Sequence, residues 1–475
     1  MTAPSFDTVV RGGTIVTAAD VYQADIGITD GKIVAIGRDL QEAATTIDAT
    51  GLLVMPGGID SHVHIAQPSG EGIVMADDFE SGTRSALLGG NTTVMPFCLQ
   101  QKGDTLREAL KGYHALAEGN CFTDISFHMI VSDPTPHVLG QEMPALAEEG
   151  YTSIKVFMTY EGLRLRDDEI LATLDAAKRS RQVVLVHCEN EDAIRYLIGR
   201  READGDTAPY HHATSRPIAA EREATHRALS LAEIVDTPIV IVHVSNREAM
   251  EEISRARLRG QKIAGETCPQ YLVLTADDLD LEDFEGAKFV CSPPPRDKES
   301  QDACWSGLEN GVFDLYSSDH CPFRFDDPGG KKTEKGMQSF RWIPNGIPGV
   351  ATRLPILFSE GVKTGRIDLN RFVALTSTNH AKLYGLYPQK GTIAVGSDAD
   401  LTLWDPELRK TITNDDLGHG ADYTPYEGME VTGWPVKVLL RGDLVMEKGV
   451  PVLGKGRGRY LPRKRSNLIN GETSL

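Results

Sequence analysis

The chain is 475 residues long, and a prior of about 150 residues per domain suggests roughly three units, although one α/β barrel absorbs about 250 or more. Its 49 basic and 68 acidic side chains leave a formal net charge of −19, which disfavours nucleic-acid backbones and anionic membrane surfaces as partners. With 40% hydrophobic and 25% charged residues, and apolar runs well short of the roughly 18 residues of a membrane span, the composition is that of a soluble globular protein.

The opening Met1-Thr-Ala-Pro-Ser-Phe-Asp7 has neither a basic start nor an apolar stretch, so no secretory signal is read and a cytoplasmic location is expected. Residues 7–16, 24–36 and 45–54 read as short strands, joined by turns at Gly12-Gly13 and Asp30-Gly31. An alternation of β-branched runs with Ala-, Leu- and Glu-rich stretches follows. It yields eight candidate strands at 52–65, 91–97, 124–131, 152–160, 182–190, 238–246, 262–271 and 312–320. Helices are expected between them, for example at 167–179, 222–234 and 247–259. The first of these places acids in its opening turn and bases in its last, as the helix dipole prefers. Such βαβ repetition predicts a parallel sheet, and eight strands close a barrel. A long helix at 369–384 leads back to strands at 391–403 and 436–446, with a second hairpin turn at Gly442-Asp443. The expected fold is therefore α/β: a (β/α)8 TIM barrel over 54–385, with a small β-sandwich domain built from both termini, 1–53 and 386–475. The seven cysteines are scattered, without a Cys-x-x-Cys pair, and read as reduced, buried thiols.

His62 and His64 stand two apart, so a strand's period of two puts both imidazoles on one face, where they can share a metal. They close the first barrel strand, and barrel enzymes build their sites on strand C-termini. The same strand-end test selects Lys155 and Tyr160 on strand four, His187 on strand five, His243 on strand six and Asp319 on strand eight. A single histidine at a strand end is commonly a hydrogen-bonded core residue; five strand ends converging on one rim point to a site. Four histidines and an aspartate exceed what one catalytic zinc uses, so two metals fit better. Lys155 carries no lone pair as an ammonium and sits in an apolar strand. Residue type alone favours a salt-bridged lysine; an amine that has captured carbon dioxide becomes an anionic carbamate able to bridge two cations.

The runs Pro56-Gly-Gly-Ile-Asp-Ser-His-Val-His64, Ser153-Ile-Lys-Val-Phe-Met-Thr-Tyr160, Val186-His-Cys-Glu-Asn190, Val242-His-Val-Ser-Asn246, Glu266-Thr-Cys-Pro-Gln-Tyr271, Ser292-Pro-Pro-Pro-Arg296 and Ser317-Ser-Asp-His-Cys-Pro322 occur in this order. Together they resemble the hydantoinase and dihydropyrimidinase family of the amidohydrolase superfamily, over nearly the whole chain. The resemblance implies two divalent metal ions, with zinc the expected metal, and a carbamylated lysine, N6-carboxylysine, at Lys155. By the same resemblance His62, His64 and Asp319 hold one metal, His187 and His243 the other, and Lys155 both. Asp319 is then the proton shuttle. Tyr160, Ser292 and the main chain of Asn345 take the small-molecule cyclic amide or imide, which opens to an N-carbamoyl amino acid. A homotetramer is implied, with neither nucleic acid nor membrane as partner.

Two loops depart from the family's pattern. Residues 66–71 read Ala-Gln-Pro-Ser-Gly-Glu and 161–164 read Glu-Gly-Leu-Arg, where related enzymes present bulky apolar or aromatic residues. The expectation is a roomier, more polar mouth, with Gln67 and Leu163 at the specificity gate and no role in metal binding. An allantoinase- or dihydroorotase-type enzyme would use the same metals, a carboxylated substrate needing a fixed arginine such as Arg84 or Arg296. A non-enzymatic scaffold of the dihydropyrimidinase-related kind lacks metal ligands, all of which this chain keeps.

Overall fold

The computed structural model describes residues 6–470; the opening residues that carry part of the expectation about location lie outside these, as do the last five. Seven β-segments of the eight-strand alternation pair in parallel along one continuous ladder. They run in spatial order from Asn91–Leu99 through His128–Ile130, Ser153–Phe157, Val183–His187, Ile239–Ile241 and Ile263–Thr267 to Leu315–Tyr316. The first barrel strand, Gly58–Val63, pairs with Asn91–Leu99 on the other side. Closure comes from an isolated parallel bridge between Val63 and His320, so the seam of the barrel lies directly beside Asp319. Most strand residues are buried, because the outer helices cover one face and the barrel core fills the other.

The helices follow their sequence signals. Asp167–Ser180 opens on Asp167, Asp168 and Glu169 and closes on Lys178 and Arg179. Ile218–Val235 and Arg247–Leu258 stand where helices are expected. The long helix is one run made of Leu369–Val373, a wider π-turn at Ala374–Thr378, and Asn379–Leu383.

The runs 7–16, 24–36 and 45–54 each resolve into two strands, and three further expected strands differ. The run 52–65 is two strands: Leu53–Pro56 pairs with Leu401–Thr411 in the terminal sheet, and Gly58–Val63 enters the barrel. The chain crosses between sheets at Gly57, where an added Cβ would stand 2.1 Å from Thr92 Oγ1, so only glycine fits. The third barrel strand is interrupted between Asp124–Ile125 and His128–Ile130, and its first half also receives a bridge from Tyr460 of the tail. Of the run 391–403 only the last three residues are extended, as the start of Leu401–Thr411, because Gly391 and Gly396 adopt φ of +83° and +95° and turn the chain before it.

Both ends of the chain build the second layer. A four-stranded sheet from residues 6–48 faces a seven-stranded sheet that mixes Thr14–Val16 and Leu53–Pro56 with Leu401–Thr411, Glu430–Leu440 and Asp443–Glu447. Val10, Ile26, Ile28, Ile33 and Ile47 share one apolar cluster with Leu401, Leu403 and Leu439, so neither end buries its face alone. A buried ionic knot ties this layer to the barrel. Lys390 Nζ lies 2.6 Å from Asp124 on the barrel and 3.0 Å from Asp398, and it also meets Asp400. No helix among the described residues is long and apolar enough to cross a membrane.

Candidate active site

All the strand-end residues arrive at one rim. His62 Nε2 lies 3.2 Å from Asp319 Oδ1 and His64 Nε2 lies 3.5 Å from the same oxygen. A ligand atom from each of these three buried residues falls within 4.8 Å of the others, which is the spacing of a shared metal ion. The His187 and His243 rings are 4.3 Å apart, and His243 lies 5.3 Å from His62, so the second pair abuts the first. Three of these positions depend on left-handed backbone: Tyr160, His243 and Asp319 have φ of +73°, +40° and +51°. Each costs on the order of 1–3 kcal/mol, and such strain concentrates where a side chain must be aimed.

Hydrogen bonds assign one nitrogen of several rings and release the other. His62 Nδ1 donates to Glu266 Oε1 at 2.6 Å, and His64 Nδ1 to Gln67 Oε1 at 2.7 Å, leaving both Nε2 lone pairs toward Asp319. His187 Nε2 donates to Glu189 Oε2 at 2.7 Å, which frees Nδ1. Burial holds the His62, His187 and His243 rings below the usual histidine range, His243 further through the neighbouring His187 and Lys155 charges. A neutral ring with one N–H fixed by an acceptor, as in His62 and His187, presents its other nitrogen as a lone pair that can bind a metal. Glu189 is itself anchored by Arg216, 2.8 Å away.

Lys155 stands among them, fully buried. Its Nζ has no hydrogen-bond partner among the described residues and lies 5.0 Å from the Phe97 ring centre and 5.1 Å from that of Phe157. A salt-bridged lysine is therefore not what the structure contains. Burial pushes the ammonium down, against the opposing pull of Glu266 and Asp319. His243 Nδ1 is a second buried orphan beside it. Two partnerless nitrogens in a ring of carboxylate and imidazole donors are what a metal centre and a modified lysine would satisfy.

Above this floor opens a cavity of about 540 Å³, lined by the polar set and by Tyr160, Ser292 and Asn345. Tyr160 is held by Glu191, whose Oε2 accepts from the Tyr160 N–H at 3.0 Å, and it lines the same cavity as Ser292 and Asn345. Burial keeps that phenol protonated, with its pKa raised. Ser292 Oγ also meets His212 Nε2 at 3.2 Å.

Gln67 and Leu163 do line the cavity, but the expected polar mouth needs correction. Ile73, Met75, Leu99, Phe323, Trp342 and Ile343 supply an apolar wall from loops far apart in sequence. Gln67 is also committed to His64, so it is not a free gate residue. Sequence reasoning passed over Glu189, Glu266 and Arg216 as supports. Glu189 was within reach of it, since two residues after His187 it continues the same strand-end face; Glu266 ends strand seven and meets the same test. Gln67 had no comparable signal.

The amidohydrolase family model matches residues 53–445. The chain is 48% identical over 468 residues to the D-hydantoinase of Geobacillus stearothermophilus, covering 98% of each chain. Against the D-hydantoinase of Rhizobium radiobacter it is 47% identical over 460 residues, or 97% of this chain and 99% of that one. The crystal structure of dihydropyrimidinase from Brevibacillus agri superposes with a TM-score of 0.94 at 47% identity, covering 97% of this chain and 99% of that one. With likeness of this extent in sequence and in fold, and a histidine–aspartate cluster at the barrel's C-terminal rim, the chain belongs to the hydantoinase/dihydropyrimidinase family of amidohydrolases.

Proposed function

We propose that this protein hydrolyses cyclic ureides, namely dihydropyrimidines and 5-substituted hydantoins, to N-carbamoyl amino acids. The observation that carries the reading is the partnerless, buried Lys155 amine between the His62–His64–Asp319 cluster and the His187–His243 pair. His62, His64 and Asp319 would hold one divalent ion, His187 and His243 a second, and Lys155 both. Its neutral amine adds to carbon dioxide, forming an N–C bond and releasing one proton, which leaves an anionic carbamate. Bound divalent ions, with zinc our choice for this mixed N/O site, supply an activated water at neutral pH and polarise the target carbonyl.

The chain's own groups then do the following. Ser292 and the Asn345 main chain hold the imide edge against the floor. Asp319 accepts a proton from the attacking water and returns it to the ring nitrogen as the C–N bond breaks, acting as general base and then acid. Tyr160, a protonated phenol, donates to the oxygen on which charge develops. The carbonyl carbon becomes a carboxylate and the released nitrogen remains in the carbamoyl group.

A carboxylated substrate of the dihydroorotate kind is less well served. Arg296 is occupied by Ser245, Glu221 and the Arg216 carbonyl, and Arg84 by the Gly418 carbonyl, so neither is offered to the cavity; Arg341, which does line it, is paired with Glu202 at 3.5 Å. The full reading is a cytoplasmic homotetramer; the seven unpaired cysteines suit a reducing compartment. Metal analysis together with an activity panel of dihydrouracil, 5-aryl hydantoins, allantoin and dihydroorotate tests it. We expect about two ions per chain and turnover of the first two substrates. Metal-loaded protein inactive on both would refute the reading.

A further inference from the structure

Lys331 is fully buried behind the substrate side of the cavity, yet no carboxylate pairs with it. Its Nζ instead donates to two main-chain carbonyls, Val290 at 2.8 Å and Pro344 at 2.6 Å. These belong to the two segments that carry Ser292 and Asn345 into the cavity. A third bond, Gly346 N–H to the Val290 carbonyl at 3.0 Å, ties the same segments together. The lysine's own backbone is fixed, since its N–H donates to the Arg324 carbonyl at 2.8 Å. At Gly330 just before it, a Cβ would stand 2.0 Å from that oxygen.

The polarity of the peptide group gives this arrangement a consequence. In a trans peptide the C=O and the following N–H point opposite ways. A cation on the Pro344 carbonyl therefore draws density through that peptide and strengthens the Asn345 N–H as a donor on the other side, and a charged hydrogen bond in a low-dielectric setting is roughly twice as strong as a neutral one. A buried cation without a counter-charge is otherwise expensive. Here the two carbonyl dipoles stand in for one.

We infer that Lys331 is a positioning residue for the imide-binding edge: through the Val290 and Pro344 carbonyls it sets the spacing of Ser292 and Asn345 and polarises the Asn345 amide toward the bound substrate. This rests on the reading of the cavity as a cyclic-ureide site. Burial lowers the pKa of Lys331 to about 7, so the polarising charge is present below that pH and fades above it, while the donors to the Val290 and Pro344 carbonyls remain in either form.

The test is Lys331→Met, which keeps length and volume while removing the charge and donors. Two lost charged hydrogen bonds predict a rise in KM of roughly tenfold to a hundredfold, with a smaller change in kcat and unchanged metal content. Hydrogen exchange of the amides at 290–292 and 343–346 should accelerate in the same variant. Lys331→Gln, which keeps a shorter donor, should fall between wild type and Lys331→Met in both readouts; if Lys331→Met does not fold, this variant carries the comparison. The inference is overturned if KM and loop exchange of the folded variants match wild type, or if kcat and metal content fall while KM stays constant. Wild type inactive on cyclic ureides would refute the substrate reading alone, because the exchange rates still report whether Lys331 holds the two segments.

Discussion

Gln67 Oε1 accepts the Nδ1–H of His64 at 2.7 Å, and this contact decides which nitrogen of His64 faces Asp319. Glu266 does the same for His62 at 2.6 Å. A neutral imidazole can donate from one nitrogen only, so an acceptor on Nδ1 keeps the lone pair on Nε2.

Gln67→Leu, close in size but unable to accept a hydrogen bond, should therefore weaken divalent-ion retention by about tenfold to a hundredfold. Competition with a chelator measures this directly. Retention equal to wild type would return Gln67 to the role of a cavity-lining residue.

Lys155→Ala should abolish turnover and lower metal content while the circular-dichroism spectrum stays that of wild type, because the amine has no hydrogen-bond partner among the described residues. A short-chain carboxylic acid supplied at high concentration should restore part of the activity by occupying the place of the carbamate. Near-normal turnover of Lys155→Ala without additive would remove the lysine from the mechanism.

Asp319→Asn keeps the side chain's shape beside His62 and His64 but cannot take and return a proton. We expect kcat to fall by roughly a hundredfold to ten-thousandfold, with KM changing much less. Steady-state kinetics on metal-replete protein is the measurement, and a kcat within a few-fold of wild type would assign the proton to another group.

Tyr160→Phe removes one hydroxyl near Ser292 and Asn345. Loss of a single oxyanion donor typically lowers kcat by about a hundredfold to a thousandfold. If Tyr160 only packs against Phe157 and His187, whose rings lie 6.0 and 5.3 Å away, the rate will hardly change.

Trp342→Ala should lower selectivity for 5-aryl hydantoins over dihydrouracil by roughly tenfold or more, because an apolar pocket contact is worth about 1–3 kcal/mol. Trp342 lines the cavity with its ring 4.7 Å from the Arg341 guanidinium and is none of the metal-site residues, so metal content should hold. An unchanged ratio of specificity constants would mean that the aryl group lies elsewhere.

By itself the sequence determined the alternation of strand and helix, the number of barrel strands and the polar residues at their C-terminal ends. These are local signals: a period of two places His62 with His64, and dipole-ordered charges delimit Asp167–Ser180. The motif order from Pro56 to Pro322 added the family, and with it an expected ligand set. Tertiary structure alone decided where the chain leaves one sheet for another, at Gly57, because the clash with Thr92 depends on the register of two separate strands. It alone decided that Lys155 has no hydrogen-bond partner among the described residues, since an ion pair depends on whether an acid from another strand comes within reach. Strand-end position marks Glu189 and Glu266 in the sequence, but which ring each support holds was equally hidden. Gln67 lies three residues from His64, but Glu266 lies 204 from His62 and Lys331 reaches the Val290 carbonyl across 41. Contacts of that separation leave no periodic trace in the chain, and only the closed barrel brings them together.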